Sequence, residues 1–208
     1  MIEQTALARR LEEAAARPDA VSAFRAARAV FLAGQRLEMK ELAVALGVNR
    51  ATLFRWVGGR DELLAEVIWS VAEPTLRRAA AAAPGTGAHR IATALGDFAH
   101  ATNTSDAFRQ FLLREPERAL RLLTTRAGSV QHRIVAIVED LLAEEISART
   151  LDPLLPVPEL ALLLVRITET FIYTDVISGA EPDAAKVVQA SLVLLGERPE
   201  KYVRERTP

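Results

Sequence analysis

The sequence contains no cysteine. Disulfide frameworks, thiol nucleophiles, cysteine-ligated zinc and iron–sulfur clusters are thereby excluded. Large rings are scarce, with aromatic residues making up 5% of the 208. An excess of either charge is also missing: 26 basic residues face 27 acidic ones, a net of −1. That balance excludes a uniformly basic nucleic-acid coat. Lysine occurs only at Lys40, Lys186 and Lys201, so arginine carries most of the positive charge. Long apolar runs are absent as well. The longest, Leu160–Val165, falls far short of the ~20 residues a membrane span needs. The first sixteen residues, MIEQTALARRLEEAAA, are broken up by charge and lack the apolar core of a signal peptide. A soluble, cytoplasmic protein is expected.

What is present points to helices. Half the residues are hydrophobic, alanine and leucine dominate, and glycine and proline number 10 each. The chain is long enough for one large domain or two small ones. Residues 3–16 read as a short helix, with Leu7 and Leu11 four apart. Asp19 is a favoured N-cap for a second helix, with Val21, Phe24, Phe31 and Leu32 as its apolar face and Arg25, Arg28 and Gln35 exposed. Residues 38–46 form a third, turning Leu42, Ala45 and Leu46 inward. Gly47 sits where a helix end calls for a left-handed residue. Asn49 then caps a helix over 50–57, and Gly58-Gly59 ends it. Arg60 to Ala82 reads as one helix that Pro74 should kink or split. Further helices are expected over 88–103, 105–114, 115–124, 128–149, 158–178 and 182–195. The span 158–178 is apolar nearly all round, as expected of a helix buried on more than one side.

The informative stretch is 39–63, MKELAVALGVNRATLFRWVGGRDEL. Two short helices joined by Gly47-Val48-Asn49 have the turn length of a helix-turn-helix unit. Leu42, Leu46, Val48, Leu53 and Val57 can pack inward on Phe24 and Phe31. The second helix then presents Arg50, Ala51, Thr52, Arg55 and Trp56, small and cationic residues suited to a major groove. Charge is distributed accordingly. Residues 19–60 hold seven cations (Arg25, Arg28, Arg36, Lys40, Arg50, Arg55, Arg60) and three acids (Asp19, Glu38, Glu41), a net of +4 that leaves −5 for the remainder. A basic head on an acidic body is the footprint of a DNA-binding module joined to something else.

The run Gly47-Val48-Asn49-Arg50-Ala51-Thr52-Leu53-Phe54-Arg55-Trp56-Val57, followed by Arg60-Asp61-Glu62-Leu63, resembles the DNA-binding domain of TetR-family transcriptional regulators. The likeness covers residues 19 to 63. It implies an all-α fold: a three-helix helix-turn-helix domain over 19–66, preceded by a helical extension over 1–18 and followed by a helical effector-binding and dimerisation domain over 67–208. It implies a DNA interface drawn from Lys40, Asn49, Arg50, Ala51, Thr52, Phe54, Arg55, Trp56 and Arg60. Arg50 and Ala51 fall where base-reading residues lie, and Thr52 where a threonine touches phosphate or base. Phe54 replaces the usual tyrosine and lacks its hydroxyl, which leaves Phe54 the alternative of being core. Trp56 offers an indole N–H in that hydroxyl's place. Arg60 replaces the usual lysine at the start of the fourth helix, where a cation and free backbone N–H groups make a phosphate site.

The same resemblance implies a homodimer formed through residues 158–195, reading a pseudo-palindromic double-stranded operator. It also implies a small-molecule effector and no cofactor. Phe98, Phe108, Phe111 and Val138 are candidate apolar walls for that effector. Gln131, Arg166, Thr170 and Tyr173 interrupt apolar faces and are candidate orienting groups. Arg166 and Glu169 have the alternative of an interhelical pair. Over its length the effector half is similar to the QsdR-like branch, which implies a lactone or fatty-acyl ligand. Two other readings compete. A di-iron bundle enzyme needs paired Glu-x-x-His motifs, and only Asp97-Phe-Ala-His100 comes near. No nucleophile elbow, P-loop or H-E-x-x-H motif occurs. A helical adaptor would use the same turn for protein contacts alone.

Overall fold

The computed structural model describes Thr5, residues 18–125 and residues 128–197. The expected helix over 3–16 and the charged tail from Arg198 lie outside these residues. The described residues form eleven helices and no strand.

Helix α1 (Ala20–Leu32) begins as its first residues require. The Asp19 carboxylate accepts from the Ser22 N–H at 2.8 Å, and the Ser22 hydroxyl accepts from the Asp19 N–H at 2.7 Å. Its buried face is Ala23, Ala27 and Phe31, spaced by four, with Phe24 half-buried. Val21 and Leu32, expected inward, are exposed. The two alanines explain the rotation, because small side chains let α1 approach its neighbours closely.

Helix α2 (Met39–Ala45) buries Met39, Leu42 and Ala43. Ala45, also expected inward, is exposed; the face that includes Met39 leaves it on the far flank. Gly47 turns the chain at φ +66°. Asn49 then caps α3 (Arg50–Val57), its side-chain oxygen accepting from the Thr52 N–H at 2.7 Å.

Gly58, at φ +69°, separates α3 from α4 (Arg60–Ala82). α4 runs unbroken through Pro74, which faces solvent, so water can satisfy the carbonyl that proline deprives of a donor. The body continues with α5 (Gly87–Asn103), α6 (Asp106–Arg114), α7 (Pro116–Thr124) and α8 (Val130–Ser147). The expected helix over 158–178 is two, α9 (Val157–Ile172) and α10 (Thr174–Ser178), parted at Tyr173. Inside α10 the Asp175 carboxylate accepts from the next N–H, that of Val176, at 2.8 Å. α11 (Ala184–Leu194) closes the described chain, capped by Asp183.

α4 is the common spine. It packs on α1 toward the head and on α5, α7 and α8 in the body. α9 packs between α8, α5 and α11. α9 is not sealed on all sides: Leu162 and Leu163 stand 43% and 42% exposed, and Val193 on α11 is 58% exposed.

Candidate nucleic-acid interface and apolar cavity

The head places a contiguous polar surface at the start of α3. Asn49, Arg50, Ala51 and Arg55 are exposed, Thr52 is half-exposed, and Lys40 is exposed on α2. Leu53 is fully buried and anchors the helix from below. Phe54 is 40% exposed, which removes its alternative as core. The Arg50 guanidinium lies 5.8 Å from its ring centre, one turn back. Trp56 is half-exposed, as Thr52 is, with part of its ring packed against the core.

Arg60 is engaged differently from its expected role. Its guanidinium forms a fork to Glu115, with Nη1 to Oε2 at 2.6 Å and Nη2 to Oε1 at 2.5 Å. Its Nε donates to the Leu37 carbonyl. The two charged side chains are only 12% and 11% exposed. The Arg60 side chain therefore turns into the molecule rather than toward a phosphate. Glu115 fixes it there because a planar fork matches a carboxylate better than a single ammonium would. Arg118 joins from α7 to both Glu115 and Asp61, and Arg121 reaches Asp61 at 2.5 Å. The Arg60 bond holds the Glu115 carboxyl below the ordinary range, and burial only partly offsets this. Head and body are thus joined by charge where α4 begins.

They are also joined by packing. Phe31 of α1 meets Phe111 of α6 edge to face, with ring centres 5.9 Å apart. Phe31 also forms part of the wall of a cavity in the body. This cavity has a volume of about 70 Å³, below the ~300–1,000 Å³ of most small-molecule sites, so a ligand must widen it. Phe98, Phe108, Ile134 and Val165 supply further apolar wall, and α4 contributes Ile68 and Val71.

Of the candidate ligand residues, the structure brings Phe98, Phe108 and Tyr173 to this cavity. Phe111 stands behind the wall, against Phe31. Val138, one turn beyond Ile134, is sealed in the core. Thr170 is exposed, about half a turn round α9 from Thr168, and donates to the Arg166 carbonyl. Gln131 and Arg166 do not line the cavity but hold a residue that does. Gln131 Nε2 donates to both oxygens of Glu169, at 2.8 and 3.0 Å, and Arg166 donates to Oε2 at 3.0 Å. The Arg166–Glu169 pair is therefore within one helix, three residues apart, and not between helices.

Glu169 and Tyr173, one turn apart on α9, make the polar end of an otherwise apolar space. Burial pushes the Glu169 carboxyl up, against the pull of Gln131 and Arg166. Burial, with the nearby Glu169 charge, pushes the Tyr173 hydroxyl up strongly.

A family model described as "Tetracyclin repressor-like, C-terminal domain" matches residues 86–196. The chain belongs to the TetR family. It is similar to the R. erythropolis transcriptional repressor QsdR, itself of the TetR family, at 30% identity and a TM-score of 0.80, covering 87% of this chain and 96% of that one. It is similar in fold to the TetR family repressor AlkX of Dietzia sp. strain DQ12-45-1b, implicated in biodegradation of n-alkanes, at 20% identity and a TM-score of 0.57, covering 86% and 94%. No curated protein matches the sequence. Within this TetR-family chain, sequence reasoning missed Phe31 as cavity wall and Glu169 as its polar anchor. Glu169 did carry a signal: it continues the inward face of Leu160, Leu164, Val165 and Thr168, where a carboxylate is out of place.

Proposed function

We propose that this protein is a homodimeric transcriptional regulator, a repressor whose grip on a pseudo-palindromic operator is released by a small apolar effector of the lactone or fatty-acyl class. The observation that carries this reading is Phe31, a head residue that is also cavity wall. A ligand filling the cavity must press on α1 and α4 as well as on the body helices. α4 then transmits the displacement, and the spacing of the two heads changes. The exposed Asn49, Arg50, Ala51, Thr52 and Arg55 support the major-groove role, with Phe54 presenting an apolar face beside them. The unpartnered Leu162, Leu163 and Val193 support pairing through α9 and α11. The lactone or acyl class is what the sequence resemblance to the QsdR-like branch implies, and the apolar wall is compatible with it.

The test begins with selection of bound duplexes from a random-sequence pool. A gel shift on the enriched site, with and without a medium-chain γ-lactone, follows. A retarded band that the lactone weakens five- to 150-fold, about 1–3 kcal/mol of coupling, supports the proposal. If no sequence is enriched, the adaptor reading takes its place.

A further inference from the structure

The polar end of the cavity is built asymmetrically. Gln131 Nε2 and Arg166 Nη1 are donors only; Gln131 Nε2 gives both its bonds to Glu169, and Arg166 Nη1 divides between Glu169 and the Thr124 carbonyl, at 3.0 Å each. Glu169 Oε2 receives two of these bonds and Oε1 one, which leaves Oε1 with capacity for another donor. One turn further, the Tyr173 hydroxyl has no hydrogen-bond partner among the described residues. Of the remaining cavity hydroxyls, Ser105 accepts from the Phe108 N–H at 3.4 Å and keeps its own proton free, while three threonines are committed. Thr75, Thr102 and Thr168 each donate to a backbone carbonyl four residues back. At the end of α9 the space therefore offers one open acceptor beside one open donor, and Ser105, just before α6, offers a second open donor.

Resting on the effector reading above and narrowing it from lactones, which carry no donor, to acyl ligands, we infer that the cavity selects an uncharged head carrying a hydrogen-bond donor beside an acceptor, such as an amide, and rejects the matching carboxylate. Glu169 takes the ligand's N–H or O–H, and Tyr173 donates to its carbonyl. A carboxylate head would face Glu169 directly. Arg166, the nearest cation, lies on the outer side of Glu169 and does not line the cavity. An ammonium head gains little, because it would lose its own hydration in an otherwise apolar space.

The test is calorimetric titration of the full chain at pH 7.5 with n-octanamide, octanoate and octylammonium, which share one tail. Octanamide is expected to bind at least about tenfold tighter than either charged probe, the usual scale of one buried hydrogen bond to a charged group. Glu169→Gln should bring octanoate within about threefold of octanamide, because the repelling charge is gone. Tyr173→Phe, which keeps the ring, should weaken octanamide about fivefold and decides the matter if Glu169→Gln does not fold. Octanoate or octylammonium as the tightest probe, or an unchanged ratio in Glu169→Gln, overturns the inference. Equal binding of all three leaves the effector cavity standing and removes the head-group selection. Failure of all three to bind removes the head-group selection, and the γ-lactone gel shift then decides the effector reading alone.

Discussion

Arg60 shows how a residue's role depends on its nearest partner. In the sequence it stands at a helix start beside a basic surface, and a phosphate contact follows naturally. In the fold it is tied to Glu115, fifty-five residues away, a partner no local pattern can announce. The consequence is a division of labour among the arginines. Arg60→Ala should lower unfolding free energy by about 1–3 kcal/mol, because Glu115 loses its fork; urea denaturation measures this. Arg55→Ala should leave stability unchanged and reduce the slope of log affinity against log salt by about one, if it meets a phosphate.

Glu115 adds a pH dependence of known sign. Its folded-state value is depressed below the ordinary 4.5. Its contribution is therefore complete above that value and is lost as pH falls through the folded-state value. Glu115→Gln should cost stability at pH 7 and much less at pH 3. A loss equal at both pH values would contradict the pairing.

At the scale of elements, the head was largely legible because its signals are local. Asp19, Gly47, Asn49 and Gly58 mark their helix boundaries through caps and positive φ, and each does so in the fold. Gly47 gives the cleanest test of that logic. A methyl group there would meet nothing within 4 Å, so Gly47→Ala isolates the backbone cost of φ +66°. About 1 kcal/mol is expected, read as a lower midpoint in thermal unfolding. The body was legible as helices but less so in its faces. The break at Tyr173 has no proline or glycine to announce it. Thr170 and Thr168 are equally polar in sequence, and only the turn of α9 separates an outward threonine from a cavity one. Val138 and Ile134 are equivalent in pattern, yet one is core and the other wall.

At the scale of the molecule, the near-zero net charge conceals a basic head on an acidic body. The two are coupled by the Arg60–Glu115 fork and by Phe31. Leu162, Leu163 and Val193 leave an apolar surface on α9 and α11. Leu163→Asp combined with Val193→Asp should convert a dimer to monomers in sedimentation and abolish cooperative binding to paired half-sites.

The central claim is that ligand in the cavity and DNA on the head report to each other. Linkage makes this measurable from both sides. The affinity of n-octanamide is determined by titration on free protein and on protein saturated with its selected operator. Operator affinity is then determined with and without saturating n-octanamide. Each partner should weaken the other by one common factor, between about five and 150. Octanamide binding that is unchanged by saturating operator would contradict it.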